Sequence, residues 1–282
     1  MSQEILSTCR DGAVMYVSIN NPPVNLMNVR MVKEMFELVG SLNFDPTVKV
    51  VVFESAITDF FIAHFDLNDL VSSTEDPSSK SKFDDINILQ SLSLSLQNLP
   101  QVTIAKINGA CRGAGLELIL GMSMRFASES SRFCAPEASS GFLACGGGST
   151  RLALACGQGR ALEVMLSARD FSGKEAETYG IINRALPTEE LEAYVQSLAE
   201  RIALRSPHAI AVNREAIKRT LAFVVEPLFA GFAYENDALR ESMKRPEMTE
   251  SIKTVLALGQ SREAELDLPE SIEKLLKATP KE

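Results

Sequence analysis

The 282-residue chain lacks any run of about 18 apolar residues, so it offers no membrane-spanning helix. Metal-binding and redox residues are scarce. There are only two histidines, His64 and His208, and the five cysteines (Cys9, Cys111, Cys134, Cys145, Cys156) are odd in number and form no C-x-x-C pair. A zinc site and a disulfide framework are therefore not expected, and a reducing compartment fits. Positive charge is also in deficit: 28 Lys and Arg face 37 Asp and Glu, for a net charge of -9. That balance argues against nucleic acid and anionic membranes as partners. No glycine cluster is followed by G-K-[ST], and Gly109, Gly113 and Gly115 do not fit G-x-G-x-x-G, which removes P-loop and dinucleotide binding. With no G-x-S-x-G elbow and so few histidines, a serine triad is not supported either. The opening MSQEIL has neither a signal-peptide core nor an Arg-rich transit pattern, and the closing TPKE is not the Ser-Lys-Leu peroxisomal address. The expected location is the cytoplasm.

What remains is an ordinary globular composition, 45% hydrophobic and 23% charged, with enough apolar residues for a sizeable core. Residues Ala13 to Ile19 read as a buried strand closed by turn residues Asn20 to Pro23, and a helical pattern runs from Val29 to Asn43. Further strands are expected at Val48 to Phe53, Val102 to Ile107 and Met124 to Ala127. This alternation predicts an α/β fold. Ser72 to Asp85 is polar and Ser-rich, the composition of a surface loop or lid. After Leu186 strand signals fade, and helices such as Glu189 to Leu204 and Ala209 to Thr220 take over. No internal sequence repeat is evident.

The segment INGACRGAG, residues 107 to 115, feeds the apolar helix LELIL, which carries a single carboxylate, Glu117. Neighbours Leu116, Leu118, Ile119 and Leu120 make that helix apolar nearly all round and predict its burial. An ionised group there must be neutralised or used. Gly113 and Gly115 permit a tight turn and leave amide N–H groups free at the positive helix end, so anion-stabilising donors would lie beside an acid or base. Gly146 to Gly148 open a second helix in STRLALAC, either to hold an anion or to pack closely. Cys145 beside them reads as a small buried hydrophobe or a reactive thiol. A second glutamate, Glu137, follows Pro136 in SRFCAPEASSGFL, where on its own it reads as a surface residue.

Four ordered blocks give these residues a common setting. INNPPVNLMN, FFIAHFDLNDL, INGACRGAGLELIL and SRFCAPEASSGFLACGGGSTRL resemble the motifs of the crotonase, or enoyl-CoA hydratase/isomerase, superfamily, and GRALEVMLSARDFSGKEAETYGIINRALP continues the match. The resemblance implies a spiral of ββα units over residues 1–204 that binds and turns over acyl-CoA, followed by a C-terminal helical oligomerisation region, 205–282. It further implies a homotrimer or dimer of trimers and a place in fatty acid metabolism. The partner would be an acyl-CoA thioester whose carbonyl oxygen meets the backbone N–H groups of Phe65 and Ala114. Substrate contacts are implied at Ala63, Asp66, Leu67, Gly113 and Cys145. Glu117 and Glu137 fall on the paired glutamates of hydratases, which implies addition of water across the 2,3 double bond without metal or redox cofactor, coenzyme A being part of the substrate. Alternatives within the same superfamily are isomerisation, thioester hydrolysis, decarboxylation and acyl-CoA binding without turnover. Three departures from the usual pattern stand out: His64-Phe65 replaces Gly-Ala, Ala114 replaces the middle glycine, and Ala144-Cys145 replaces Pro-Gly.

Overall fold

Valine-rich runs build the centre of the molecule. A computed structural model describes residues 4–74, 86–221 and 225–278. The hairpin β1 (Leu6–Asp11) and β2 (Val14–Ile19) leads into α1 (Val29–Leu42) and β3 (Val50–Ser55). Then come β4 (Phe60–Ile62), α2 (Leu67–Thr74), α3 (Ile88–Asn98), β5 (Val102–Ile107), β6 (Ala110–Arg112) and α4 (Ala114–Ile119). Strands β7 (Met124–Ser128) and β8 (Arg132–Cys134) precede a short 3-10 helix, Pro136–Ser140, and α5 (Gly148–Ser167), which is broken at Gly157. The chain continues through β9 (Phe171–Ser172), α6 (Gly173–Tyr179), β10 (Arg184–Leu186), α7 (Thr188–Ala203) and α8 (Pro207–Thr220). It ends with α9 (Val225–Met243), α10 (Pro246–Ala257), α11 (Arg262–Leu266) and α12 (Leu268–Ala278). The expected strands and helices are present at nearly the expected places. β1 was not foreseen, because all but one of its residues face solvent and it carries no clear apolar pattern. The predicted loop from Ser72 begins later than expected, since α2 runs through Thr74, and residues 75–85 lie outside the described residues.

Two sheets result. The larger has the order β1-β2-β3-β5-β7-β10, and all its neighbours except β1 and β2 run parallel. The smaller has the order β4-β6-β8-β9, with β4, β6 and β8 parallel. The chain thus repeats one unit three times: a strand in the large sheet, a short strand in the small sheet, then a helix. β3-β4-α2, β5-β6-α4 and β7-β8 with its 3-10 helix are the turns of a ββα spiral, although their sequences do not repeat.

Packing between the layers is apolar. Helix α1 buries Met31, Val32, Met35, Val39 and Leu42, a helical stripe whose start is capped by the Asn28 side chain, which accepts from the Met31 N–H at 2.8 Å. Those side chains join Val51, Phe53, Phe61, Ile62, Leu116 and Ile119 in the main core. Removing such area from water contributes roughly 25 cal/mol per Å² and outweighs the entropy lost on ordering the chain. Polar ties set the small sheet against the large one. The buried Asn25 amide donates to Ser55 Oγ at 2.8 Å and to the Phe61 carbonyl at 3.1 Å, joining the turn after β2 to β3 and β4.

The parallel run of β4, β6 and β8 positions the site. Their C-terminal ends fall along one edge, so the turns that leave them are neighbours: Ala63 to Asp66, Gly113, and Ala135 to Glu137.

Candidate active site

At the first of these turns the chain doubles back on Met27. Its N–H donates to the His64 carbonyl and its carbonyl accepts from the Asp66 N–H, both at 2.8 Å. The Phe65 N–H between them donates to nothing among the described residues. At the second turn Gly113 adopts φ +47°, the left-handed region that favours glycine, and starts α4. A side chain there would sit 2.9 Å from Glu137 Oε1, so the missing Cβ makes room for the third turn's carboxylate. Ala114, first residue of α4, keeps a negative φ, and its N–H also has no acceptor among the described residues. Gly115 serves a different end from the one expected. A Cβ on it would lie 2.8 Å from the Ile62 carbonyl, so it permits close packing of α4 on β4.

Glu117 is buried, as its apolar helix predicts. Its Oε1 accepts from the Gly146 N–H at 2.7 Å and the Gly148 N–H at 3.0 Å. Gly146 to Gly148 therefore do both things proposed for them, and the anions they hold are the chain's own. The intervening Gly147 N–H donates to Glu235 Oε2 at 3.0 Å, while Thr150 gives its N–H (2.8 Å) and hydroxyl (2.7 Å) to Glu235 Oε1. Cβ atoms at Gly146 and Gly148 would meet the Glu117 carboxylate at 2.5 and 2.8 Å.

Glu137 is half-buried as a residue, but its Oε2 is sealed from solvent and has no hydrogen-bond partner. It is not the surface glutamate that its sequence setting allows. Burial pushes its carboxyl up to about 7, against the opposing pull of its own backbone N–H and the nearby His64 charge. Burial raises Glu117 well above the ordinary carboxylate range, helped by the charges of Glu137 and Glu235 and opposed by the Gly148 and Gly146 amides. Each carboxyl therefore favours its protonated form beyond the ordinary range, and the charge of Glu137 acts on Glu117 in the same direction. The Cys145 thiol beside them is raised by burial and then by Glu117, Glu137 and Glu235, which keeps it protonated and excludes the reactive-thiolate reading. Its carbonyl is fixed from α3 by Asn87 Nδ2 at 2.7 Å and Gln90 Nε2 at 2.9 Å.

Of the other expected contact residues, Ala63 is buried with Val24, Phe60 and Ala110. Asp66 accepts from the Asn68 N–H at 2.9 Å and from Gln260 Nε2 at 3.2 Å, capping α2 and tying it to the C-terminal helices. Leu67 packs against Val255, Leu268 and Ile272. Sequence reasoning missed the supporting carboxylates Glu235 and Glu265. Glu235 carried a readable signal: with Leu228 and Phe232 it lies on the buried face of α9, a charge on an apolar stripe like Glu117. Glu265 had none, being one of three acidic residues in the short stretch REAELD. A wide groove elsewhere, lined by Tyr16, Glu54, Lys106 and Glu192, does not include either catalytic candidate; Lys106 there is already paired with both glutamates. Among the described residues no group of three His, Cys, Asp or Glu is arranged to hold a metal ion, and no helix is long and apolar enough to cross a membrane.

Two amides without acceptors among the described residues and two carboxyl groups raised by burial, carried on the turns of a ββα spiral, define the class of proteins in which the candidate site falls. Known proteins give the class its name. The family model described as enoyl-CoA hydratase/isomerase matches residues 10–257, and the chain belongs to that family. It is 27% identical over 233 residues to the short-chain-enoyl-CoA hydratase of Clostridium acetobutylicum, spanning 82% of this chain and 87% of that protein. It is 30% identical to the peroxisomal Delta(3,5)-Delta(2,4)-dienoyl-CoA isomerase of Arabidopsis thaliana, over 79% of this chain and 84% of the relative. A crystal structure of a provisionally named enoyl-CoA hydratase from Streptomyces avermitilis superposes with a TM-score of 0.87 at 33% identity, covering 98% of this chain and all of the other.

Proposed function

We propose that the protein is an enoyl-CoA hydratase that adds water across the 2,3 double bond of an α,β-unsaturated acyl-CoA. The observation that carries this reading is the pair Glu117 and Glu137, both raised by burial, the second set against the Gly113 turn that starts the helix of the first. An isomerase can work with one base; hydration uses two groups in opposite protonation states. In the reading, the thioester oxygen lies between the N–H groups of Phe65 and Ala114. The ionised carboxylate takes a proton from water as the water oxygen bonds to C3, and the π electrons move onto the thioester oxygen. Its protonated partner then delivers a proton to C2 as the enolate collapses. One water is added and the pair again holds a single proton. Each amide aimed at the enolate oxygen is worth roughly 10²–10³ in rate.

The reading calls for no cofactor beyond the coenzyme A of the substrate, and places the protein in the cytoplasm. Residues 1–204 serve as the acyl-CoA-binding and catalytic core, and 205–282 as the helical region through which copies associate. Support for association through this region comes from Val212 and Ile217, apolar side chains left exposed on α8.

The test is loss of the conjugated thioester absorbance of crotonyl-CoA and longer enoyl-CoAs. Glu117→Gln and Glu137→Gln should each lower kcat by about 10²–10⁴ while acyl-CoA still binds. A folded wild type inactive on every chain length would overturn the reading. Gain of conjugation from 3-enoyl-CoA without uptake of solvent oxygen would replace it with isomerisation.

A further inference from the structure

His64 stands where the family pattern has glycine, and it is buried beside Gly113. Both ring nitrogens are engaged. Nδ1 lies 2.7 Å from the Phe65 carbonyl and Nε2 lies 2.9 Å from Glu265 Oε1. A carbonyl only accepts, so Nδ1 carries a proton and donates it to Phe65, while Nε2 pairs with the Glu265 carboxyl group. Burial opposes a charged ring, but the hydrogen bond and charge of Glu265 and the bond to the Phe65 carbonyl outweigh it and raise the His64 pKa. With no free nitrogen, His64 is not placed to shuttle protons.

The bonds act on backbone geometry. The His64 carbonyl is held by the Met27 N–H and the Asp66 N–H by the Met27 carbonyl, both at 2.8 Å, and the Phe65 carbonyl is held by the His64 ring. Both peptide planes flanking Phe65 are thus tied, which leaves its N–H pointing in one direction. Glu265 also touches Arg112, close in sequence to the second free amide. Its carbonyl accepts from Arg112 Nη1 at 2.6 Å, and Arg112, two residues before Ala114, makes a bidentate pair with Asp170 at 2.8 and 2.7 Å. One C-terminal residue therefore contacts both His64, the neighbour of Phe65, and Arg112, two residues before Ala114.

We propose that His64 and Glu265 are a positioning couple that sets the direction of the Phe65 N–H relative to that of Ala114, so that the C-terminal helix α11 completes the anion-binding site. This rests on the reading above, in which those two amides receive the thioester oxygen. A glycine at position 64 could make neither bond, so the device belongs to this chain's own departure from the family pattern.

The test uses butyryl-CoA labelled with ¹³C at the thioester carbonyl, a saturated probe that cannot be hydrated. On binding wild type, the carbonyl resonance should move downfield as the two amides polarise it. Glu265→Ala should lose most of that shift, and kcat on crotonyl-CoA should fall on the order of tenfold with KM changed less. The isosteric Glu265→Gln, which keeps an oxygen acceptor for Nε2, should recover part of both and guards against a folding defect in the alanine variant. In the double variant His64→Ala/Glu265→Ala the loss should not exceed that of the worse single variant, because both act through one contact. A full shift and unchanged kcat in folded Glu265→Ala overturn the couple alone. No shift with butyryl-CoA bound to wild type overturns the anion-hole reading and the couple together.

Discussion

A carboxyl group that is raised by burial makes the folded state prefer its protonated form. For Glu137, raised to about 7, this has a definite sign, and for Glu117, also raised, the sign is the same. The folded state binds the Glu137 proton more tightly than the unfolded chain does, so stability falls as pH rises from the ordinary carboxylate range through about 7, and the whole Glu137 penalty is in force above that. Glutamine mimics the neutral acid. Glu137→Gln should therefore raise the melting temperature more at pH 8 than at pH 5, as read by thermal denaturation at the two values. An equal gain at both would show that the carboxyl is not raised. Legibility differed sharply between the two glutamates. Glu117 announced itself, because a charge in LELIL has no apolar excuse. Glu137 looked like a surface residue, because the groups that cover it come from turns distant in sequence.

At the scale of elements, the glycines of the α5 start do more than cap a helix. Gly146 and Gly148 give their N–H groups to Glu117 and leave no room for a Cβ against it. Gly148→Ala should push the Glu117 carboxylate off its amides, costing about 1–3 kcal/mol through overpacking. Turnover should fall on the order of a hundredfold, as when a preorganised catalytic hydrogen bond is lost. Urea denaturation and the crotonyl-CoA assay measure the two effects; unchanged turnover with intact folding would mean the Glu117 position is not tuned. The strands and helices themselves were largely legible, since Val50 to Phe53 and the α1 stripe carry their period in a few adjacent residues. The threefold ββα repetition was not, because it is a repetition of topology and leaves no repeated residues.

For the whole molecule, α5 exposes Leu154, Leu162 and Leu166, and α8 exposes Val212 and Ile217 while burying no residue at all. A helix that rests on the core only through half-buried residues such as Ile210 leaves this apolar surface to be covered. Under the proposed association, sedimentation should report a trimer or a dimer of trimers. Val212→Glu combined with Ile217→Glu should shift the protein to smaller species without unfolding it. A wild-type monomer at all concentrations would remove that part of the proposal.

The amino-acid sequence by itself determined the α/β alternation, the glycine-rich helix start with Glu117, and the family to which the chain belongs, because each is written in residues close together along the chain. Tertiary structure alone decided what those residues face. His64 and Glu265 meet across 201 positions, and Glu235 reaches Thr150 across 85. Such pairs have no local period, and their identity depends on which turns the parallel strands of the small sheet bring to one edge. The same edge sets Glu137 against the Gly113 turn and leaves the Phe65 and Ala114 amides without acceptors among the described residues, since backbone direction is set by the bonds of neighbouring strands and turns rather than by the side chains of the residues that carry it.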